Sequence, residues 1–146
     1  ELRLVGSEMC IRDRIYCPYI IGPGDHPDDF QFIHVFWYPN RGPVSEHINV
    51  IEPIMQKINP SIWLRIKANL RLKTNHVRVG GMHTDVGNYG HTTSIFYVNS
   101  NDGCTTFENG DTYKSVENCL ITFPSHLRHA GSSPSNTKTR FVINFN

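Results

Sequence analysis

Several kinds of signal are missing from this 146-residue sequence, and each absence narrows what the chain can be. No window approaches the roughly 18 consecutive apolar residues of a membrane-spanning helix. No charged start followed by an apolar stretch reads as a signal peptide. The expectation is a cytoplasmic protein without a membrane partner. The four cysteines, Cys10, Cys17, Cys104 and Cys119, form no CxxC pair and no framework spacing, so they read as reduced thiols rather than staples or zinc ligands. Fourteen Lys and Arg against 13 Asp and Glu leave a net charge of +1, which offers no general attraction to nucleic acid or anionic lipid. Internal repeats, low-complexity tracts and linkers are also lacking. What is present, 38% apolar, 11% aromatic and 18% charged residues, suits one globular domain large enough to bury a core.

The first residues stand apart. LVGSEMCIRDR, Leu4 to Arg14, reads as the in-frame translation of a sequencing adaptor, so residues 1–14 are expected to be foreign and residues 15–146 to form the domain. On that reading the chain is an assembled metagenome fragment cut short at its N-terminus. A Pro/Gly-rich lead, Cys17 to Asp29, precedes FQFIHVFWY (Phe30 to Tyr38), whose aromatic and β-branched residues predict a first strand. Ser45 is a plausible N-cap for a helix in which Ile48, Ile51, Ile54, Met55 and Ile58 recur at helical spacing, with Pro53 expected to kink it. Beyond Pro60 the pattern is β: Ile62–Leu72, Val77–Thr84, Thr92–Asn99, Thr105–Phe107, Tyr113–Val116, Cys119–Phe123 and Arg140–Phe145. NDG, ENGD and SSPSN supply turns between them. About seven short strands and one helix predict a mainly β, jelly-roll sandwich or barrel with the helix packed outside.

The chemistry concentrates in GGMHTDVG, residues 80–87. A strand projects alternate side chains to one face, so His83 and Asp85 can point together into a barrel. Two histidines in FPSHLRHAG, His126 and His129, are available as a third ligand. Two imidazoles and a carboxylate on one face of an octahedral ion form the facial triad of non-haem Fe(II) oxygenases. Zinc competes for such donors, but structural zinc prefers four closed ligands. Arg140 opens the last strand, RFVINFN, where a charge is out of place unless it meets an anion, and a guanidinium there can grip a carboxylate bidentately.

HTD, then TTSIFYVN, GCTTFENG and VENCLITFPS, and His129 separated by ten residues from Arg140, resemble the Fe(II)/2-oxoglutarate-dependent dioxygenase family in its prolyl 4-hydroxylase-like branch. The resemblance covers Ile62 to Asn146 and extends to short hydroxylase-like proteins of marine bacteriophages, which share the character of WLRIKANL, HTDV and TRFVINFN. It implies a double-stranded β-helix (jelly-roll, cupin-like) core with one flanking N-terminal helix. It also implies His83, Asp85 and His129 as Fe(II) ligands, Arg140 as partner of the far carboxylate of 2-oxoglutarate, and Tyr97 as a second contact to that carboxylate. His129, not His126, has the family's spacing to Arg140. The implied reaction hydroxylates a substrate with O2 while 2-oxoglutarate becomes succinate and CO2, with ascorbate as an accessory reductant, in a bacterial or phage-infected host cell.

Some features depart from the family pattern. Its GG pair is Gly103-Cys104 here, its frequent lysine is Arg140, and the tyrosine expected about ten residues before the HxD motif has no match near Lys73. His91 falls in a loop near the expected site mouth, while His26, His34, His47 and His76 join no constellation. The row Arg65, Lys67, Asn69, Arg71 and Lys73 alternates with apolar residues and reads as the solvated face of a half-buried strand, with one or two members available to a substrate cleft. The expected partner is an unidentified peptide or small-molecule substrate: a peptidyl proline or other amino acid, a nucleobase or a small metabolite. The competing function class is a β-helix domain that binds metal or ligand without turnover, as a phage accessory or structural module.

Overall fold

A computed structural model describes residues 14–18, 20, 30–85 and 90–146; most of the adaptor-like start and of the Pro/Gly-rich lead lie outside that set. The described chain forms ten strands and one helix: β1 (Ile15–Cys17), β2 (Gln31–Tyr38), β3 (Gly42–Pro43), α1 (Ile48–Ile58), β4 (Ile66–Leu72), β5 (Thr92–Tyr97), β6 (Cys104–Phe107), β7 (Thr112–Lys114), β8 (Cys119–Pro124), β9 (His129–Gly131) and β10 (Thr139–Phe145). Seven strands build one antiparallel sheet in the order β1-β2-β4-β10-β5-β8, with β3 on β2, and β7-β6-β9 build a second, smaller one.

Alternation along the strands gives the large sheet two buried faces. On one face, Ile66, Ala68 and Leu70 of β4, Phe96 of β5, and Phe141, Ile143 and Phe145 of β10 form an apolar core with Ile51 and Ile54 of α1. The helix sits there because its isoleucines fall on one stripe; Ile51 and Ile54 are at most 2% exposed, each burial stabilising by about 1.5–3 kcal/mol. The other face meets the small sheet through a second cluster, Ile95, Tyr97, Phe107, Phe123 and Val142.

Local chemistry explains where the boundaries differ from expectation. The helix starts at Ile48 with His47 as cap residue, because the Ser45 hydroxyl pairs with His34 Nε2 at 2.7 Å and accepts from the His47 N–H at 3.1 Å before the first turn. It continues across Pro53 as one element and stops at Asn59, whose left-handed φ of 42° lets its N–H donate to the Met55 carbonyl at 2.8 Å. Ser61 to Arg65 are not strand; β4 begins at Ile66. Val77–Thr84 does not form the expected strand either. It follows β9 through isolated bridges, Val79 to Ser132 and His83 to His129. Gly80 marks the closest approach: a Cβ there would stand 3.3 Å from the Gly131 carbonyl oxygen that its N–H bonds at 2.9 Å.

Candidate functional site

The ragged edge of the small sheet carries the first part of the site. His83 and His129 face each other, each backbone N–H donating to the other's carbonyl at 2.9 Å, which holds their rings 4.9 Å apart. His83 Nδ1 lies 3.1 Å from the Gly81 carbonyl oxygen, and His129 Nδ1 lies 3.4 Å from that of Leu127. With a proton assigned to each Nδ1, both Nε2 atoms keep a free lone pair aimed away from the backbone.

Those two nitrogens lie 3.9 and 3.8 Å from the Asp85 carboxylate oxygens, and one ligand atom from each of the three residues falls within 4.8 Å of the others. Donors at right angles around an ion bound at about 2 Å are about 3 Å apart, so small side-chain rotations suffice to close the triangle. His126, the other sequence candidate, is exposed and outside this cluster. The donor set fits a divalent ion that accepts two imidazoles and one carboxylate and leaves positions open.

Asp85 is steadied from two directions. Asn144 Nδ2 donates to Oδ2 at 2.9 Å, while Arg65 Nη2 donates to Oδ1 at 3.4 Å and to the Asp85 carbonyl at 3.2 Å. Burial pushes the Asp85 carboxyl up, but the combined fields of His129, Arg65, Lys67 and His83 outweigh it and hold its pKa below the ordinary value. Burial likewise lowers the His129 pKa, against the opposing pull of Asp85. An ionised carboxylate and a neutral imidazole are the protonation states that a metal requires.

From this cluster a cavity with about 60 Å³ of room for water, open at its mouth, runs between the sheets to Arg140. Arg140 is 3% exposed. Its Nε donates to Ser115 Oγ at 2.7 Å and its Nη2 to Thr105 Oγ1 at 3.0 Å, which uses two of five N–H groups. No carboxylate among the described residues pairs with it. A buried guanidinium held by neutral hydroxyls has the chemistry to receive an anion. Gly103 makes room for it, since a Cβ at that position would stand 2.7 Å from Arg140 Cδ. Thr105 and Phe107 of β6 point inward, whereas Cys104 is half-buried with its thiol 3.7 Å from Thr106 Oγ1.

Tyr97 stands beside Arg140, whose guanidinium carbon is 5.7 Å from its ring centroid, and is 1% exposed. Its hydroxyl donates to Thr105 Oγ1 at 3.0 Å, so it reaches the cavity through Thr105. The β4 row requires a correction. Asn69 and Arg71 are 9% and 6% exposed, and with Lys67 they line the cavity, because this face of β4 meets the second sheet and not water. Thr105, Ser115 and Asn144 are site residues that sequence patterning did not mark. His91 is half-buried, hydrogen-bonds to no described residue through either ring nitrogen, and does not line the cavity; its neighbours at 86–89 lie outside the described residues.

Neither a protein-family model nor a curated protein matches this chain. Among solved structures it is similar to an oxidoreductase of the 2OG-Fe(II) oxygenase family from Burkholderia pseudomallei, at 12% identity and a TM-score of 0.57, over 91% of this chain and 70% of that one. The fold is a double-stranded β-helix. A second similar structure is Fe(II)-HppE with the alternative substrate (S)-1-HPP, at 14% identity and a TM-score of 0.51, over 92% of this chain and 56% of that one. Likeness at these identities establishes the architecture shared by 2OG-oxygenase and cupin-like proteins, and the chemistry has to be argued from the residues.

Proposed function

We propose that this chain is an Fe(II)- and 2-oxoglutarate-dependent oxygenase domain that hydroxylates its substrate and releases succinate and CO2. One observation carries the reading: a single cavity joins the converging His83, Asp85 and His129 to a buried arginine that has no carboxylate partner among the described residues. His83, Asp85 and His129 would hold the metal, with Asn144 and Arg65 fixing the orientation of the carboxylate. Arg140 would receive the far carboxylate of 2-oxoglutarate, and Thr105 and Tyr97 would hold the guanidinium in place. The bound iron, with O2, supplies oxidising power that amino-acid side chains lack. His83, with its side chain 25% exposed, borders the side from which a substrate enters; His129 and Asp85, at 3% and 5%, form the closed wall behind it.

The test is anaerobic Fe(II) reconstitution followed by exposure to O2 with 2-oxoglutarate, peptide, nucleotide and amino-acid pools being added in parallel. The wild type is expected to release succinate, and His83→Ala and Asp85→Ala to release none above background. Succinate release unchanged in both variants would sink the reading. Stoichiometric binding of Fe(II) and 2-oxoglutarate without O2 consumption against any pool would mark a ligand-binding domain instead.

A further inference from the structure

Among the described residues that line the cavity, neither Lys67 nor Arg140 makes a salt bridge, and the one carboxylate there, Asp85, is already engaged by Arg65 and Asn144 and would be needed by a metal. The register of β4 against β10 orders these groups: Lys67 pairs with Asn144, Asn69 with Val142, and Arg71 with Arg140. β4 therefore runs beside the line from the metal ligands to Arg140, one strand away. At the far end Arg71 donates to the Gly131 carbonyl at 2.9 Å. At the metal end Lys67 makes no hydrogen bond or salt bridge with any described residue. Burial first, and then the charge of Arg65, press its ammonium below the ordinary lysine value, against the weaker opposing pull of Asp85 and Cys17.

Two residues along the same face, the Asn69 Oδ1 is buried and accepts no hydrogen bond from any described residue. Burying an acceptor unpaired costs stability, so an acceptor kept on a cavity wall is placed to take a ligand's donor. Residues two apart on a strand are separated by about 7 Å, roughly the distance across a small polyfunctional molecule. Building on the proposed function, with 2-oxoglutarate spanning the metal and Arg140, we infer that the substrate is a small anion. Its carboxylate or phosphate group meets Lys67, and a donor such as an ammonium or hydroxyl group meets Asn69 Oδ1. Amino acids, hydroxy acids and phosphate monoesters of hydroxylated compounds have this pair of groups. A proline residue within a peptide has neither.

The experiment uses oxygen-free protein loaded with Mn(II) and 2-oxoglutarate, titrated calorimetrically with amino acids, hydroxy acids and phosphate monoesters, and with their amides and unphosphorylated alcohols. At least one anionic class is expected to bind, with its neutral counterparts silent, and the responding class tells carboxylate from phosphate. Lys67→Met should weaken that binding at least about 30-fold, the size expected when one partner of a buried charge pair is removed, and Asn69→Leu should weaken it less. Both variants should keep wild-type affinity for Mn(II) and 2-oxoglutarate, which also shows that they fold. Neutral counterparts binding as well as the anions, no anion binding at millimolar concentration, or an unaltered Lys67→Met titration would each overturn the inference. Loss of 2-oxoglutarate affinity in Lys67→Met would overturn it too, by assigning the lysine to the co-substrate. If the wild type itself fails to bind 2-oxoglutarate, the proposed function falls. Anion titration of the Mn(II) protein alone then decides whether the Lys67 site stands without it.

Discussion

The two faces of the large sheet are both largely buried and chemically opposite. Toward α1, strands β4 and β10 present Ile66, Ala68, Leu70, Phe141, Ile143 and Phe145, none more than 6% exposed. Toward the small sheet the same strands present Asn69, Arg71, Arg140 and Asn144, none more than 9% exposed, with Lys67 and Val142 between them. Burial of the first set stabilises the fold through apolar area removed from water. Burial of the second set works against it, because charges and amides give up hydration for incomplete pairing. A sheet that tolerates this on one face only has its stability on one side and its ligand chemistry on the other.

The sharpest way to break that division is to exchange the consequences. Phe145→Ala, on the helix face, should cost about 3–5 kcal/mol of unfolding free energy by opening a cavity in a packed core. Denaturant titration measures it, and the folded fraction should keep its Fe(II) and 2-oxoglutarate affinity. Arg140→Met, five residues away on the opposite face of the same strand, should do the reverse. Its melting temperature should hold or rise, since a buried cation held only by neutral groups among the described residues is replaced by an apolar chain of similar length. Its 2-oxoglutarate affinity should fall by about 2–5 kcal/mol, at least 30-fold. A large stability loss in Arg140→Met would show that the guanidinium is a structural strut and that the two faces are not divided in this way.

The helix face was readable because its signals are local: isoleucines recurring along α1, and alternation within each strand. His83 and Asp85 were readable for the same reason, two positions apart on one segment. The polar face was not. Alternation in β4 says that Lys67, Asn69 and Arg71 share a side, but whether that side meets water or a second sheet is decided by β6 and β9, far along the chain. The partners of the site come from equally far: Ser115 and Thr105 lie 25 and 35 residues from the Arg140 they hold, and Asn144 lies 59 from Asp85. No short motif encodes such pairings. The expected strand at Val77–Thr84 failed for a nearer reason, Gly80 being pressed against the Gly131 carbonyl, which leaves bridges where a regular ladder was predicted.

The smallest expected effect probes the cost of the polar face with no ligand present. Burial, followed by Arg65, lowers the Lys67 pKa from its ordinary 10.5. For a base, a depressed folded value means that the folded state binds the proton less well than the unfolded state. Stability is therefore reduced in full below the folded pKa and recovers as pH rises from that value toward 10.5. Lys67→Met lacks this penalty. Ligand-free Lys67→Met should melt somewhat above the wild type at pH 7, and the gap should narrow as pH is raised toward 10.5. A gap that is constant across that range would mean the difference arises from side-chain packing. A wild type more stable than the variant at pH 7 would mean that the fold itself supplies the lysine with its counter-charge, and that this end of the cavity face resembles the helix face more than it resembles Arg140.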